Sequence, residues 1–278
     1  MMRKIIVLII AISFTLQSYA CKTVKNNETS ISAIDNVTEN ATENLTENAE
    51  DGVDLYDVDA DNAKSRKDAG IKEEKIDSSL VEDGYTYIDI KYPVLTSTKG
   101  EENIQTALDV VNDDLKKAAE KFYGDNKDTV KTDKEETGIE NYHLSHDSTD
   151  VYVTRRDDKH LSIRVFTYED YMGAHPIYYI SGYNFDVNTG KKLNLYDVIK
   201  DKEEFRKYLY EWCEEHSEED MIFEEEYKET IDNYVDEKSD LQFFFYDIDK
   251  LCVIFQIYDI APYAVGVISV EIPKELRK

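Results

Sequence analysis

Residues 151–168 read Val151-Tyr152-Val153-Thr154-Arg155-Arg156-Asp157-Asp158-Lys159-His160-Leu161-Ser162-Ile163-Arg164-Val165-Phe166-Thr167-Tyr168. Two runs rich in β-branched and aromatic residues flank a short polar break at Asp157-Asp158, which predicts a β-hairpin. A third run, Ile177 to Val187, predicts a longer strand. Asn188-Thr189-Gly190-Lys191 follows as a turn, with glycine where a positive φ is needed. Further on, Leu241 to Tyr246 and Leu251 to Tyr258 pair across Asp247-Ile248-Asp249-Lys250, and Val265 to Ile272 adds a last strand. Upstream, Thr86, Ile88, Ile90 and Tyr92 alternate with Tyr87, Asp89 and Lys91, as in a half-buried strand. Pro93 argues against a central strand continuing past it.

Helices are read from the other period. Ile104, Leu108, Val111, Leu115, Ala118 and Phe122 recur at steps of four and three. They mark one apolar helical face, which Gly124-Asp125-Asn126 is expected to end. Tyr196 to Lys200 reads as a short helical turn. Phe205, Leu209 and Trp212 mark a second amphipathic helix, and Phe223, Tyr227, Ile231 and Tyr234 a third. Hairpins with helices grouped between them predict an α+β fold, antiparallel sheets with packed amphipathic helices.

The N-terminal residues read as a targeting segment. Arg3 and Lys4 precede an apolar run from Ile5 to Leu16, which is shorter than the roughly 20 residues of a membrane span. Ser18-Tyr19-Ala20 offers small residues for signal-peptidase cleavage. Residues 1–20 are therefore expected to be a signal peptide and the protein to be exported. Cys21 stands where a bacterial lipoprotein carries its lipid, although Ser18 occupies the place usually held by leucine. Lipid anchoring at Cys21 and simple secretion are the two readings of this end. Residues 21–82 read as a disordered acidic tether: Asn36 to Asn48 repeats a Thr-Glu-Asn unit, with too little apolar surface to offset ordering.

Sixty acidic against 33 basic side chains give a net charge of −27. Such a chain is repelled by nucleic acid and by anionic lipid, and attracts cationic partners. Contact with a membrane is expected through a lipid anchor only. Cys213 falls in an expected helix and Cys252 in an expected strand, either paired in an exported protein or buried separately.

No nucleophile elbow, phosphate loop or dinucleotide fingerprint occurs. His143-x-x-His146-Asp147 offers two imidazoles without a third ligand at a helpful spacing, so a polar loop is preferred to a metal site. No carboxylate pair stands out for glycosidase-type chemistry. No metal, cofactor or catalytic residue is expected, and the chain is read as a non-enzyme. The unusual residue is tyrosine, 21 in all. Tyr168, Tyr171, Tyr178, Tyr179 and Tyr183 crowd around His175, which follows Gly173-Ala174 and precedes Pro176. Tyr258 and Tyr263 flank Ala261-Pro262. Tyrosines suit recognition surfaces and also line the edges of α+β cores. His175 is either a groove histidine or one that locks its own turn through backbone carbonyls.

Tyr171-Met172-Gly173-Ala174-His175-Pro176, Tyr183-Asn184-Phe185-Asp186 with Thr189-Gly190-Lys191, and Tyr258-Asp259-Ile260-Ala261-Pro262-Tyr263-Ala264-Val265-Gly266 together carry a resemblance. They resemble the C-terminal domain of the extracytoplasmic anti-sigma-V factor (RsiV) family, here residues 169–278. Tyr87-Ile88-Asp89-Ile90-Lys91-Tyr92-Pro93 and the helix after it resemble that family's companion domain, residues 83–168. The companion also precedes peptidoglycan deacetylases of the PdaC type. The deacetylase's own catalytic set, an Asp-Asp pair together with a His-x-x-x-His motif, does not occur here. The sigma-binding segment is likewise replaced by the signal peptide and tether. The resemblance implies an extracellular role, sensing or binding lysozyme. Specific binding needs desolvated aromatic anchors, and the cluster around His175 and Pro262 makes Tyr171, His175, Tyr178, Tyr258 and Tyr263 the candidate binding residues. Met172 stands where the family usually has glycine.

The sequence thus points to a non-enzymatic cell-envelope binding module for a cationic, lysozyme-like protein. A glycan-binding or structural envelope lipoprotein that takes peptidoglycan is the alternative. If Cys21 is lipidated, wild type partitions into detergent and Cys21→Ala is released to the medium. Equal partitioning of the two would rule lipidation out.

Overall fold

The computed structural model describes residues 60–82, 86–137, 142–218, 221–223, 226–236, 241–246 and 250–278. The expected signal peptide, Cys21 and the Thr-Glu-Asn repeat lie outside the described residues. No described helix is long and apolar enough to cross a membrane.

The chain is α+β. Helix α1 (Ala60–Asp68) leads into strands β1 (Ile71–Glu82) and β2 (Thr86–Ser97). Helix α2 (Glu102–Thr137) crosses to β3 (Tyr142–Arg156), β4 (His160–Asp170) and β5 (Ile177–Asp186). These strands form a five-stranded sheet in the order β1-β2-β3-β4-β5. Helices α3 (Leu195–Val198), α4 (Lys202–Glu215) and α5 (Glu226–Asp236) precede β6 (Gln242–Tyr246), β7 (Lys250–Phe255) and β8 (Ile268–Glu271). The last three strands form an antiparallel sheet in chain order.

The elements stack as helix, sheet, sheet, helices. Ile104, Leu108, Val111 and Leu115 of α2 bury against Leu95, Val151, Leu161, Ile163 and Phe185 of the first sheet. Ile180 meets Phe244, Cys252 and Ile254 between the two sheets. Phe243, Phe245, Val253 and Phe255 point the other way, toward Phe205, Leu209, Tyr227 and Ile231 of α4 and α5. Alternate residues of β6 and β7 thus serve two cores, which explains their unbroken apolar runs. Cys213 lies in the helix-side core and Cys252 in the core between sheets, as separate buried thiols. Burial pushes the Cys252 thiol up to about 11.

Four expectations need correction. First, one pairing is parallel: β2 runs alongside β3 over Thr86–Lys91 and Tyr142–Asp147. The strands are joined by α2 instead of a turn, and a helical crossover returns the chain in the same direction. Second, α2 does not end at Gly124. The Lys121–Asp125 ion pair and the Asn126 Nδ2 bond to Phe122 O, 2.7 Å, span the glycine. A glycine inside an exposed helix costs only about 1 kcal/mol.

Third, the expected tether runs too far, because residues 60–82 are folded. Strand β1 pairs with β2 along its whole length although its sequence, IKEEKIDSSLVE, is mostly polar. Ile71 is buried, and Glu73 pairs with Arg66 of α1 at 2.6 Å. Such an edge strand is held by its ladder more than by an apolar face. Fourth, the boundary expected at 168/169 falls inside β4. Strand β5 pairs with β4 from Glu169↔Ile177 to His160↔Asp186, so the first sheet extends to Asp186.

Gly182 fixes how closely the sheets approach. A Cβ at this position would lie 1.9 Å from Phe243 O of β6. That backbone has no room to move, because Asn184 Nδ2 donates to the same Phe243 oxygen at 2.6 Å. Gly182→Ala is expected to lower stability by about 3 kcal/mol, through overpacking at the sheet–sheet seam. A fall in the urea midpoint at unchanged slope measures it.

Candidate functional site

Strands β4 and β5 place alternate residues on opposite faces of the first sheet. Tyr168 and Tyr178 are register partners on the face toward the second sheet, beside Phe166. Thr167 and Tyr179 are partners on the face toward α2, as are Glu169 and Ile177. The turn between the strands, residues 171–176, therefore stands at the end of the sheet with aromatic groups on both sides.

On the second-sheet side, four of the expected residues meet. His175 stacks on Tyr263 with ring centroids 3.8 Å apart and planes 24° from parallel. Tyr178 meets Tyr263 edge-on at 5.8 Å, and Tyr258 lies 5.8 Å from Tyr263. His175 Nδ1 donates to Pro176 O at 3.1 Å, which leaves Nε2 to accept from Tyr258 Oη at 3.0 Å. The ring thus locks its own turn through one nitrogen and joins the aromatic cluster through the other. Burial raises the Tyr263 phenol, and the neighbouring Tyr178 and Tyr258 add to the effect.

Tyr258 is half exposed and has φ 68°, a left-handed value that side-chain-bearing residues seldom adopt. A turn closed by Asp259 N–H to Gln256 O, 3.0 Å, holds it there. The Asp259 carboxylate accepts from Gln256 N and from Tyr234 Oη, both at 2.7 Å. Met172 also has a positive φ, 59°. The backbone that glycine would adopt without strain is kept at this position by methionine, with Met172 N donating to Asp170 Oδ1 at 2.8 Å. Strained residues held by their surroundings concentrate at functional sites.

Tyr171 lies apart from the other four, on the α2 side. Its ring packs on Phe122 with centroids 5.2 Å apart, and its hydroxyl donates to Glu169 Oε2 at 2.7 Å. Glu169 Oε1 accepts from His146 Nδ1 at 2.8 Å and from Tyr179 Oη at 3.4 Å. Burial raises the Glu169 carboxyl, but the bonds from His146, Tyr171 and Tyr179 outweigh it and leave the group below its ordinary value. Burial and Glu169 together push the Tyr171 and Tyr179 phenols upward. Sequence reading missed Phe122, His146 and Glu169 as a unit. Only the repeated tyrosines hinted at it.

The region of His143 and His146 is a strand, not the polar loop expected. Three-residue spacing in a strand puts the two imidazoles on opposite faces. His143 Nε2 bonds Asp89 Oδ2 at 2.7 Å, on the face away from His146. No group of three or more histidine, cysteine or carboxylate side chains is placed to hold a metal among the described residues.

Two family models match the chain. "Protein of unknown function (DUF3298)" matches residues 196–275, and "Deacetylase PdaC" matches residues 80–178. The second stretch is the one read as a companion domain, and it brings no catalytic assignment to this chain. These matches do not confirm the anti-sigma-V type. No curated protein matches the chain. A DUF3298 family member from Bacteroides fragilis NCTC 9343 is similar in structure. It has a TM-score of 0.52 at 18% identity and covers 75% of this chain and 93% of that one. A DUF3298 family protein from Pseudomonas aeruginosa PAO1 gives 0.45 at 13% identity, covering 75% and 94%. Tyr171, His175 and Tyr178 close the first matched stretch, while Tyr258 and Tyr263 belong to the second.

Glu169 makes acid stability a measurable consequence. A carboxyl held below its unfolded value, 4.5, contributes stability that is complete above that pH and is lost as pH falls through the folded value. Glu169→Gln is expected to unfold more easily than wild type at pH about 7, and this difference should narrow progressively as pH falls below 4.5. Urea melts over a series of pH values test it, and a gap that stays constant down the acid series would remove Glu169 from acid unfolding.

Proposed function

We propose that the protein is a non-enzymatic, exported binding module of the cell envelope. Its binding surface is the end of the first sheet, and its partner is a cationic protein such as a lysozyme. One observation carries the reading. Among the described residues, the exposed large hydrophobics are Tyr171, Met172, Ile177, Met221 and Tyr258, and all but Met221 lie on or beside the β4–β5 turn. Exposed apolar groups gathered at one place mark interaction sites, whereas scattered ones do not.

Charge supports the choice of partner. The two segments that build the surface, residues 168–178 and 256–267, contain Glu169, Asp170 and Asp259 but no lysine or arginine. The net charge of −27 extends the same bias over the whole chain. Opposite charge speeds encounter, and the aromatic anchors supply specificity once water is displaced. The alternative is a glycan-binding lipoprotein. The half-exposed ring of Tyr258 beside the His175–Tyr263 stack favours it, since flat rings also suit the faces of sugars.

Titration calorimetry at physiological salt separates these. Animal-type lysozyme is expected to bind more tightly than cytochrome c, a basic protein of unrelated shape. Tyr178→Ala, Tyr258→Ala or Tyr263→Ala should raise the dissociation constant by about tenfold, roughly 1.4 kcal/mol. Equal weak binding of both basic proteins would sink the lysozyme reading. Binding of soluble peptidoglycan fragments instead would put the glycan reading first.

A further inference from the structure

The turn that carries Tyr171 and His175 is tied down twice, once on each face of the sheet. Toward the second sheet the tie is the His175–Tyr258 bond. Toward α2 it is the bond from Tyr171 to Glu169, 2.7 Å. The second tie has an unusual support. The side chain of His146 is 0% exposed, with Nδ1 2.8 Å from Glu169. Its Nε2 is buried and meets no hydrogen-bond partner among the described residues. A buried polar atom left unsatisfied opposes folding.

Packing alone does not call for an imidazole there. Its register neighbour on β2 is Ile90, and Leu144 on its own strand and Phe122 of α2 complete an apolar setting. An aliphatic side chain would extend that core without an orphan nitrogen. What the imidazole adds is one donor to the Glu169 carboxylate. Tyr179 on β5 adds another, and Tyr171 on the turn a third. Three structural elements therefore converge on one partly buried carboxylate, and one of them is the turn.

We propose that Glu169, supported by His146, is a positioning residue that clamps the Tyr171–Pro176 turn in the shape of the binding surface. The identity of that surface rests on the function proposed above, while the clamp itself does not. The charged groups around it come from α2: Lys121 acts on Glu169, and Asp125 acts on Tyr171. Strand β2 places Ile90 beside His146, and β5 brings the Tyr179 phenol to Glu169. The low-lying carboxyl keeps the clamp closed at neutral pH and opens it only as pH falls through a value below 4.5.

Hydrogen exchange on the full chain tests the clamp without any ligand. In Glu169→Gln and Tyr171→Phe, the amides of Met172, Gly173 and Ala174 are expected to exchange about tenfold faster than in wild type. Amides of α4, whose buried residues lie in the helix-side core, should not change. Acidification should accelerate the turn amides of wild type beyond their intrinsic rates and leave Glu169→Gln flat, which a purely structural residue would not do. If Glu169→Gln fails to fold, Tyr171→Phe still decides, because it removes one hydroxyl at a partly exposed position. Unchanged turn exchange in Glu169→Gln and Tyr171→Phe overturns the proposal. With lysozyme as probe, Tyr171→Phe should weaken binding several-fold. If wild type does not bind lysozyme, the proposed partner fails and the exchange data alone judge the clamp.

Discussion

Strand backbone that loses its neighbour must find another hydrogen-bonding partner, and this constraint organises the molecule. Strand β5 lies at the edge of the first sheet. There Gln256 Oε1 accepts from Ile180 N at 2.9 Å, and Gln256 Nε2 donates to Ile180 O at 2.8 Å. One amide side chain thus stands in for a neighbouring strand. Gln242 does part of the same task at Gly182 N, and Asn184 reaches Phe243 O. On the other side of the sheet β2 outruns β3, and Asn112 of α2 bonds both Leu95 N and Leu95 O, at 2.7 and 2.9 Å. Where β3 leaves β2, Ser65 and Arg66 of α1 take its Val153 N and Val151 O. Each such pair is worth little net, yet leaving it unmade costs about 1–3 kcal/mol.

The same bonds set the position of the candidate surface. Gln256 is anchored at Ile180, so Tyr258, two residues later, is delivered beside the turn that precedes Tyr178. His175 and Tyr263 then close the gap between two loops far apart in the chain. The surface is a by-product of sheet registry, and the rings need no cavity of their own. Because its residues come from both matched stretches, neither stretch alone assembles it.

Much of the fold was legible because each segment has one period. The hairpin at 157–158, the strand from Ile177 and the runs in β6 and β7 were found from alternation and turn residues. What failed were features set by tertiary contact. Strand β1 carries too few apolar residues to show alternation and exists through its ladder to β2. The parallel pairing of β2 and β3 depends on the path of α2, which no local pattern encodes. Gly124 is a helix breaker by propensity, yet one glycine costs only about 1 kcal/mol, which a helix of 36 residues packed on the sheet absorbs.

The site was half legible, and strand parity explains which half. Tyr178 and Tyr258 were recognised as a tyrosine-rich surface, and they do meet through His175 and Tyr263. Tyr171 was grouped with them by proximity in sequence, yet it follows Glu169 onto the opposite face. His146 was set aside as loop because its neighbours are polar. A bulge between Asp147 and Asp150 shifts the parity of β3 by one residue, so that Leu144 and His146 face α2 before it and Val151 and Val153 after it. An even-numbered histidine therefore joins an odd-numbered core. No alternation rule spans such a bulge. The buried imidazole becomes intelligible only when its partner across the register, Glu169, is seen holding the hydroxyl of a turn tyrosine.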